Sequence, residues 1–303
     1  VEMGKKRRVF SRALSLAIAR RLAKRWHQSW GPPAQPDPGR VGILLPGDTM
    51  AANMHLAVVL AGRVPVGLPV ELLQDPKRDE VLQEMGIRRV ITAQSLLQDR
   101  KPPVGFIDMK EEVAAVSKPG LVGNRFGSRL EPAWLAIRQT SLPPLSETTE
   151  AVGYVYLDEE KNYQLVTLTH RNLLASIYQM DSSLIFLRKD RVFVDQNFDS
   201  LEAILVGLWY PVLKKSTGIY RGLIGQQNRP RAIIAQEKPA VILLSETLAL
   251  DLRKEEKPEF PDSVRVCLDF YGTEAPVDLE SSHTEYCRAF GPNFLGAMVS
   301  TNT

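Results

Sequence analysis

Three consecutive carboxylates, Asp158, Glu159 and Glu160, followed by Lys161 and Asn162, separate two runs rich in β-branched and aromatic residues, 152–157 and 164–168. The second run passes directly into LTHRNLLASIYQM, where Thr169 is placed to cap a helix. Strand, turn, strand and helix in that order can hold a phosphate in the turn. They do so when the turn offers backbone N–H groups, hydroxyls and a cation. This turn offers acids instead. A phosphate beside a carboxylate at about 4 Å costs about 1 kcal/mol in water and about 4 kcal/mol at an effective dielectric of 20. Each lost charge-assisted donor forfeits about 1.5–3 kcal/mol. Millimolar to micromolar nucleotide affinity amounts to only about 4–8 kcal/mol. The acids and the missing donors can cancel that, and Lys161 alone does not restore it. The stretch reads as a hairpin connection with a polar tip.

Other spacings that carry chemistry are absent. There is no GxGxxG after a strand, no GxxxxGK[ST], no GxSxG and no HExxH. His27, His55, His170 and His283 are dispersed, and His55, inside an apolar helical run, reads as a satisfied core or boundary residue. The acidic pairs Glu111–Glu112 and Glu255–Glu256 read as solvated helix faces. Cys267 and Cys287 have no ligand-like spacing, which points to a reduced, cytoplasmic setting and to no metal site.

The elements that must position these residues alternate between strand and helix. Residues 8–30 read as a basic amphipathic helix with Phe10, Leu14, Ala17, Ile18 and Leu22 at helical spacing. GPPAQPDPG is a stiff connector. Strands are expected at 41–46, 64–70, 88–93 and 104–107, with helices at 49–61, capped by Asp48 or Thr49 and stopped by Gly62, and at 76–85. Residues 117–146, rich in Pro and Gly, read as a long excursion. A second series follows, with strands at 191–195, 218–222, 240–245, 264–270 and 293–298. Its helices fall at 201–213, 230–236, 246–256 and 277–290. Apolar strands alternating with helices predict an α/β fold, parallel sheets flanked by helices on both faces. Three portions are expected: the basic helix 1–30 belonging to the first lobe, an α/β portion 31–150, and a second α/β portion 151–303.

The net charge of +3 is unevenly spread: residues 1–30 carry nine Lys/Arg against Glu2, and the remainder is net −5. The basic character belongs to one element, which argues against a nucleic-acid-binding body. It leaves two readings of that helix, one docked on its own domain and one lying peripherally on an anionic membrane surface. No apolar run reaches the length of a membrane span, and no signal-peptide pattern opens the chain. The first residue is not Met, so a segment of a longer chain is expected.

Taken in order, the segments resemble the adenylate-forming superfamily of acyl-CoA and acyl-carrier-protein synthetases, luciferases and peptide-synthetase adenylation domains. RVGILLPGDTMAANMHLAVVLAGRVPVGLPV looks like that family's opening block, and LTHRNLL like the segment after its phosphate loop. DRVFVDQNFDSLEAILVGLWYPVL resembles the block containing "PLFH", YGTEAPVDL the "SGAEPLPPEL" segment, and VSTNT the "GYGMTET" segment. The resemblance implies the large N-terminal domain of such ligases, truncated and without the small lid domain that carries a catalytic lysine. It also implies a nucleotide site drawing on Gly272, Thr273, Glu274 and Thr301. The family's catalytic features are changed, however. Against "TSGTTGKPKG" this chain sets residues 156–165, with Gln164 at the second lysine. Ser200, after Asp199, replaces the His of "PLFH"; Met298 replaces the aromatic of "GYG"; Asn302 replaces the Mg²⁺-associated Glu. Three readings follow. The first is a catalytically inactive domain kept as a structural or binding module, with no catalytic residues and no cofactor. The second is an active ATP- and Mg-dependent ligase of fatty or other carboxylic acids, as part of a longer chain. The third is a membrane-surface accessory module with an acyl or lipid ligand.

Overall fold

The structure, a computed structural model, describes residues 2–3, 7–8, 10–31, 39–97, 100–103, 105–116, 146–158, 160–182, 187, 189–221, 230–245, 248, 261–271 and 294–298. In chain order its elements begin with β1 (Glu2–Met3), β2 (Arg7–Arg8), α1 (Arg12–Trp30), β3 (Arg40–Leu44), α2 (Thr49–Leu60) and β4 (Val64–Gly67). They continue with α3 (Arg78–Glu84), β5 (Arg89–Thr92), α4 (Gln94–Leu97), β6 (Phe106–Asp108), α5 (Met109–Ala114), β7 (Glu150–Leu157), β8 (Tyr163–Thr169) and α6 (His170–Ser182). The remainder comprises β9 (Arg191–Val194), α7 (Tyr210–Lys214), β10 (Thr217–Tyr220), α8 (Pro230–Glu237), β11 (Val241–Leu243), β12 (Val266–Tyr271) and β13 (Phe294–Met298). They form two compact units, Val9–Ala175 with Asn197–Ser200, and Val1–Arg8 with Ser176–Gln196 and Leu201–Thr303.

The first unit is built on a sheet of order β6-β5-β3-β4-β7-β8, parallel except for β8, which returns antiparallel to β7. Val66, Val90 and Val155 from its strands pack with Leu72, Leu82 and Leu97 in one apolar cluster. Each such side chain, fully buried, contributes about 1.5–3 kcal/mol. α2 starts where the Asp48 carboxylate accepts the Ala51 N–H at 2.7 Å. It ends before Gly62, whose φ of +74° suits glycine. α2 packs against α1 as well as β3 and β4. It therefore needs apolar residues around most of its circumference, and Ala51, Ala52, Met54, Ala57 and Val58 are all buried. α1 lays Ala17, Ile18, Leu22 and Trp26 inward. The docked reading of this basic helix is the one its packing follows, since its apolar stripe is covered within its own unit.

Several expectations need adjusting. The helix does not begin at residue 8: Ser11 caps it through the Leu14 N–H, and Arg7–Arg8 pair with Glu2–Met3 as a short antiparallel ribbon beside β10. Residues 1–8 thus belong to the second unit and not to the first. A division at 150/151 would separate β7 and β8 from the sheet to which β7 is hydrogen-bonded, and the units divide inside α6 instead. The strand expected over 64–70 stops at Gly67, and Val70–Gln74 form a 3-10 turn after Pro69.

The second unit carries a sheet of order β13-β12-β11-β9-β10-β1-β2, parallel throughout β13 to β1. Phe193, Ile219, Ile233, Ile234 and Ile242 form its core. The expected helix 201–213 is a π-helix over Ala203–Trp209 before α7. Pro211 has no N–H to give the Gly207 carbonyl, and Tyr220 Oη donates to that carbonyl at 2.9 Å. The expected helices 246–256 and 277–290, and most of the excursion 117–146, lie outside the described residues.

Candidate functional site

The β7–β8 hairpin is paired to its last residue, Leu157 opposite Tyr163 and Tyr156 opposite Gln164. The turn between them closes on itself. Asp158 N donates to Asn162 O at 3.0 Å, and Lys161 N to Asp158 O at 3.0 Å. Lys161 takes a left-handed φ of +62° to complete the bend. The Asp158 carboxylate then accepts the Asn162 N–H at 2.8 Å on one oxygen and Gln164 Nε2 at 3.0 Å on the other. The Gln164 side chain first, then the Asn162 backbone, hold this carboxyl below the usual carboxylate range. Two donors of the turn, the Asn162 N–H and the Gln164 amide, are thus engaged by a carboxylate belonging to the chain. Glu160 and Asn162 engage each other at 3.4 Å in solvent, and Glu159 is outside the described residues.

The helix after the hairpin is closed as well. Thr169 caps α6, its Oγ1 accepting the Asn172 N–H at 3.1 Å while Asn172 Oδ1 accepts from Thr169 Oγ1 at 2.6 Å. His170 N and Arg171 N donate to the carbonyls of Thr149 and Glu147 at 3.1 and 2.9 Å. His170 is half-buried, which lowers its pKa. The first three N–H groups of α6, among those a phosphate would use, are thus already bonded.

Asp199 and Ser200 belong to the segment Asn197–Ser200 of the first unit. Asn197 Oδ1 accepts the Gly47 N–H at 3.0 Å, and the Phe198 ring meets His55 edge-on with centroids 5.7 Å apart. A Cβ on Gly67 would lie 1.8 Å from the Phe198 carbonyl oxygen, so only glycine allows this approach. His55 is fully buried, and neither ring nitrogen has a hydrogen-bond partner. The expectation of a satisfied histidine is therefore wrong, and desolvation lowers its pKa to about 3. Glu112 also departs from expectation. It is no solvated face residue, because it accepts Trp26 Nε1 at 2.8 Å and Arg25 Nε at 3.0 Å.

Gly272, Thr273, Glu274 and Thr301 lie outside the described residues, as do Glu255 and Glu256. The residues before them are placed: Tyr271 ends β12 directly opposite Met298 at the end of β13. Among the described residues no group of His, Cys, Asp and Glu converges to hold a metal ion. No described helix is long and apolar enough to cross a membrane.

Sequence reasoning missed a cluster in the second unit. Asp195 follows β9, Arg221 follows β10 and Ser245 follows β11, bringing three polar side chains to neighbouring strand ends. Ser245 Oγ donates to Asp195 Oδ2 at 2.7 Å, and Arg221 Nη1 donates to Asp195 Oδ1 at 3.4 Å. Burial pushes the Asp195 carboxyl up, against the lowering effect of Ser245 and Arg221. A polar residue within two positions of the end of each of three strands was the available signal.

Two helix-flanked sheets, with a hairpin closing the first, are the fold of the adenylate-forming ligases. The chain is similar to O-succinylbenzoate coenzyme A synthetase (MenE) from Bacillus subtilis in complex with AMP. That match has a TM-score of 0.71 and 16% identity, over 100% of this chain and 56% of the synthetase. It is also similar to the nonribosomal peptide synthetase FmoA3, with a TM-score of 0.69 and 14% identity over 99% of this chain and 29% of that one. VinN in complex with L-aspartate matches at a TM-score of 0.66 and 13% identity, over 95% and 68% of the two chains. The chain thus spans little more than half the length of the MenE synthetase. No family sequence model matches the chain, and no curated protein matches it by sequence. Likeness at this identity establishes the fold, and the chemistry rests on the residues.

Proposed function

We propose that this chain is a degenerate adenylate-forming domain that serves as a structural or binding module and does not activate acids. The observation that carries the reading is the Asp158 carboxylate, bonded to Asn162 N and Gln164 Nε2 where the resemblance sets a phosphate loop. A triphosphate would have to displace that carboxylate and then sit beside it. The remaining changes run the same way: Ser200 stands for a histidine, Met298 for an aromatic residue and Asn302 for the Mg²⁺-associated glutamate. The residues of the hairpin do not fit ATP and Mg²⁺, so no step is derived through them. Exposed Lys24 and Arg25 on α1 would meet an anionic surface by charge alone, since the helix's apolar stripe is covered.

The test is ATP–pyrophosphate exchange on the 303-residue chain with a panel of fatty and aryl acids, run beside a Mg-ATP titration that reads binding without turnover. Neither exchange nor saturable binding is expected. Exchange above background with any acid would establish instead an ATP-dependent carboxylic acid ligase and end the proposal.

A further inference from the structure

We propose that β8, the outer strand of the first sheet, is a docking edge for a second copy of this chain, which pairs with it antiparallel about a two-fold axis at Leu165. The inference goes beyond the loss of acid activation, and it does not depend on whether the hairpin takes a nucleotide.

β8 is an edge left unprotected. Sheets end safely in short strands, charges or proline, because an open edge is a template for pairing with another chain. β6, at the other end of the same sheet, has three residues. β8 has seven, reading YQLVTLT, without a charge or a proline. Uncharged runs of this length and β-propensity are the ones that pair between chains.

The turn fixes which backbone groups point outward. Asp158 N donates to Asn162 O, and the bonded pairs of the ladder alternate from there: Tyr156 with Gln164, then Tyr154 with Val166. Tyr163, Leu165 and Thr167 therefore turn their N–H and C=O groups away from β7. Among the described residues none of these groups has a hydrogen-bond partner. The open run stops at Thr169, whose N–H goes to Asn172 Oδ1 at 3.1 Å.

The strand is its own complement. With Leu165 opposite Leu165 of the other copy, Tyr163 stands opposite Thr167, and the outward pairs exchange about six hydrogen bonds. Tyr163 and Leu165 are only partly buried where they pack on the apolar cluster of the first unit, and a further strand would extend their cover. The same register carries each acidic tip toward the start of the other copy's α6. Glu160 of one copy then meets Arg171 of the other, and both residues are exposed. An unrelated extended peptide would gain the backbone bonds but not this pairing of charges at both ends. The second copy is the occupant that the edge fits, and the isologous contact closes at two chains.

Sedimentation velocity of the 303-residue chain at about 1–200 μM reads the association, with amide hydrogen exchange followed at low and high concentration. One strand pair is a small interface, so a reversible dimer with a dissociation constant of about 10–100 μM is expected. The Leu165 and Thr167 amides should exchange more slowly as concentration rises, while those of Gln164 and Val166, already bonded to β7, should not change. Thr167→Pro removes an outward N–H from each copy and should weaken the dimer at least about tenfold. Arg171→Glu, at an exposed position that leaves the fold alone, should weaken it about five- to tenfold at low salt, and adding Glu160→Arg should restore it. A chain that stays monomeric at about 200 μM would overturn the proposal. So would a dimer whose Leu165 and Thr167 amides gain no protection, growth beyond two chains, or a double charge swap that restores nothing.

Discussion

The two sheets of this chain are wound alike and finished differently. Each has a strand, β3 or β9, with the next strand in the chain on one side of it and the one after that on the other. At the carboxyl edge of the first, the chain fills its own space: Asn197 takes the Gly47 N–H and Phe198 lies against Gly67 and His55. At the edge of the second, Arg221 stays half in solvent on a buried carboxylate. The β7–β8 turn repeats the first pattern, with Asp158 answering its own backbone donors. The same winding can thus end in an edge closed by the chain's own side chains or in one that leaves a cation half in solvent. Winding depends on apolar burial, and a ligand site depends on a few donors left unspent.

If the first edge is filled by close contact, breaking that contact should have the largest effect. Gly67→Ala drives a methyl into the Phe198 carbonyl and should destabilise the chain by about 3 kcal/mol in urea unfolding. The matching change at Gly31, where nothing lies within 4 Å, meets only the strain of its φ of +67° and should cost less.

His55 sharpens the same point through pH. The folded imidazole has a pKa of about 3, while the unfolded one titrates near its ordinary 6.5. Between these values the unfolded state binds the extra proton. The stability of the neutral buried form is thus complete above the unfolded pKa and is lost as pH falls. Between pH 6.5 and 5 the loss from this group should be about 2 kcal/mol. His55→Leu should remove that part of the slope, measured by urea unfolding at both pH values.

Smaller effects are expected where the filling is by single bonds. Glu112→Ala strands the indole N–H of Trp26 and should cost about 1 kcal/mol. Asp158→Asn keeps an acceptor for Asn162 N but sets an amide against Gln164 Nε2. It should change stability little and show first as faster amide exchange at Asn162.

The apolar runs made most of the scaffold legible in the sequence. VGIL, RVFV and VIL are buried strands because nothing polar interrupts them, and Asp48 and Thr169 announce their helices by capping chemistry. The acidic tip of the hairpin could be read as hostile to phosphate. That Asp158 would use the turn's donors could not, because the bond needs Lys161 in a left-handed bend and Gln164 across the strand. The π-helix was hidden for a similar reason. Pro211 signals a break, but the hydroxyl that serves Gly207 comes from Tyr220, one strand later. His55 looked satisfied because helical periodicity reports burial and says nothing of partners.

The claim that the hairpin cannot take a nucleotide is tested most directly by calorimetric titration of the chain with Mg-ATP, in wild type and in Asp158→Ala. The account predicts no saturable heat from wild type at millimolar ATP. Tight, saturable binding in wild type that weakens when Asp158 is removed would contradict it.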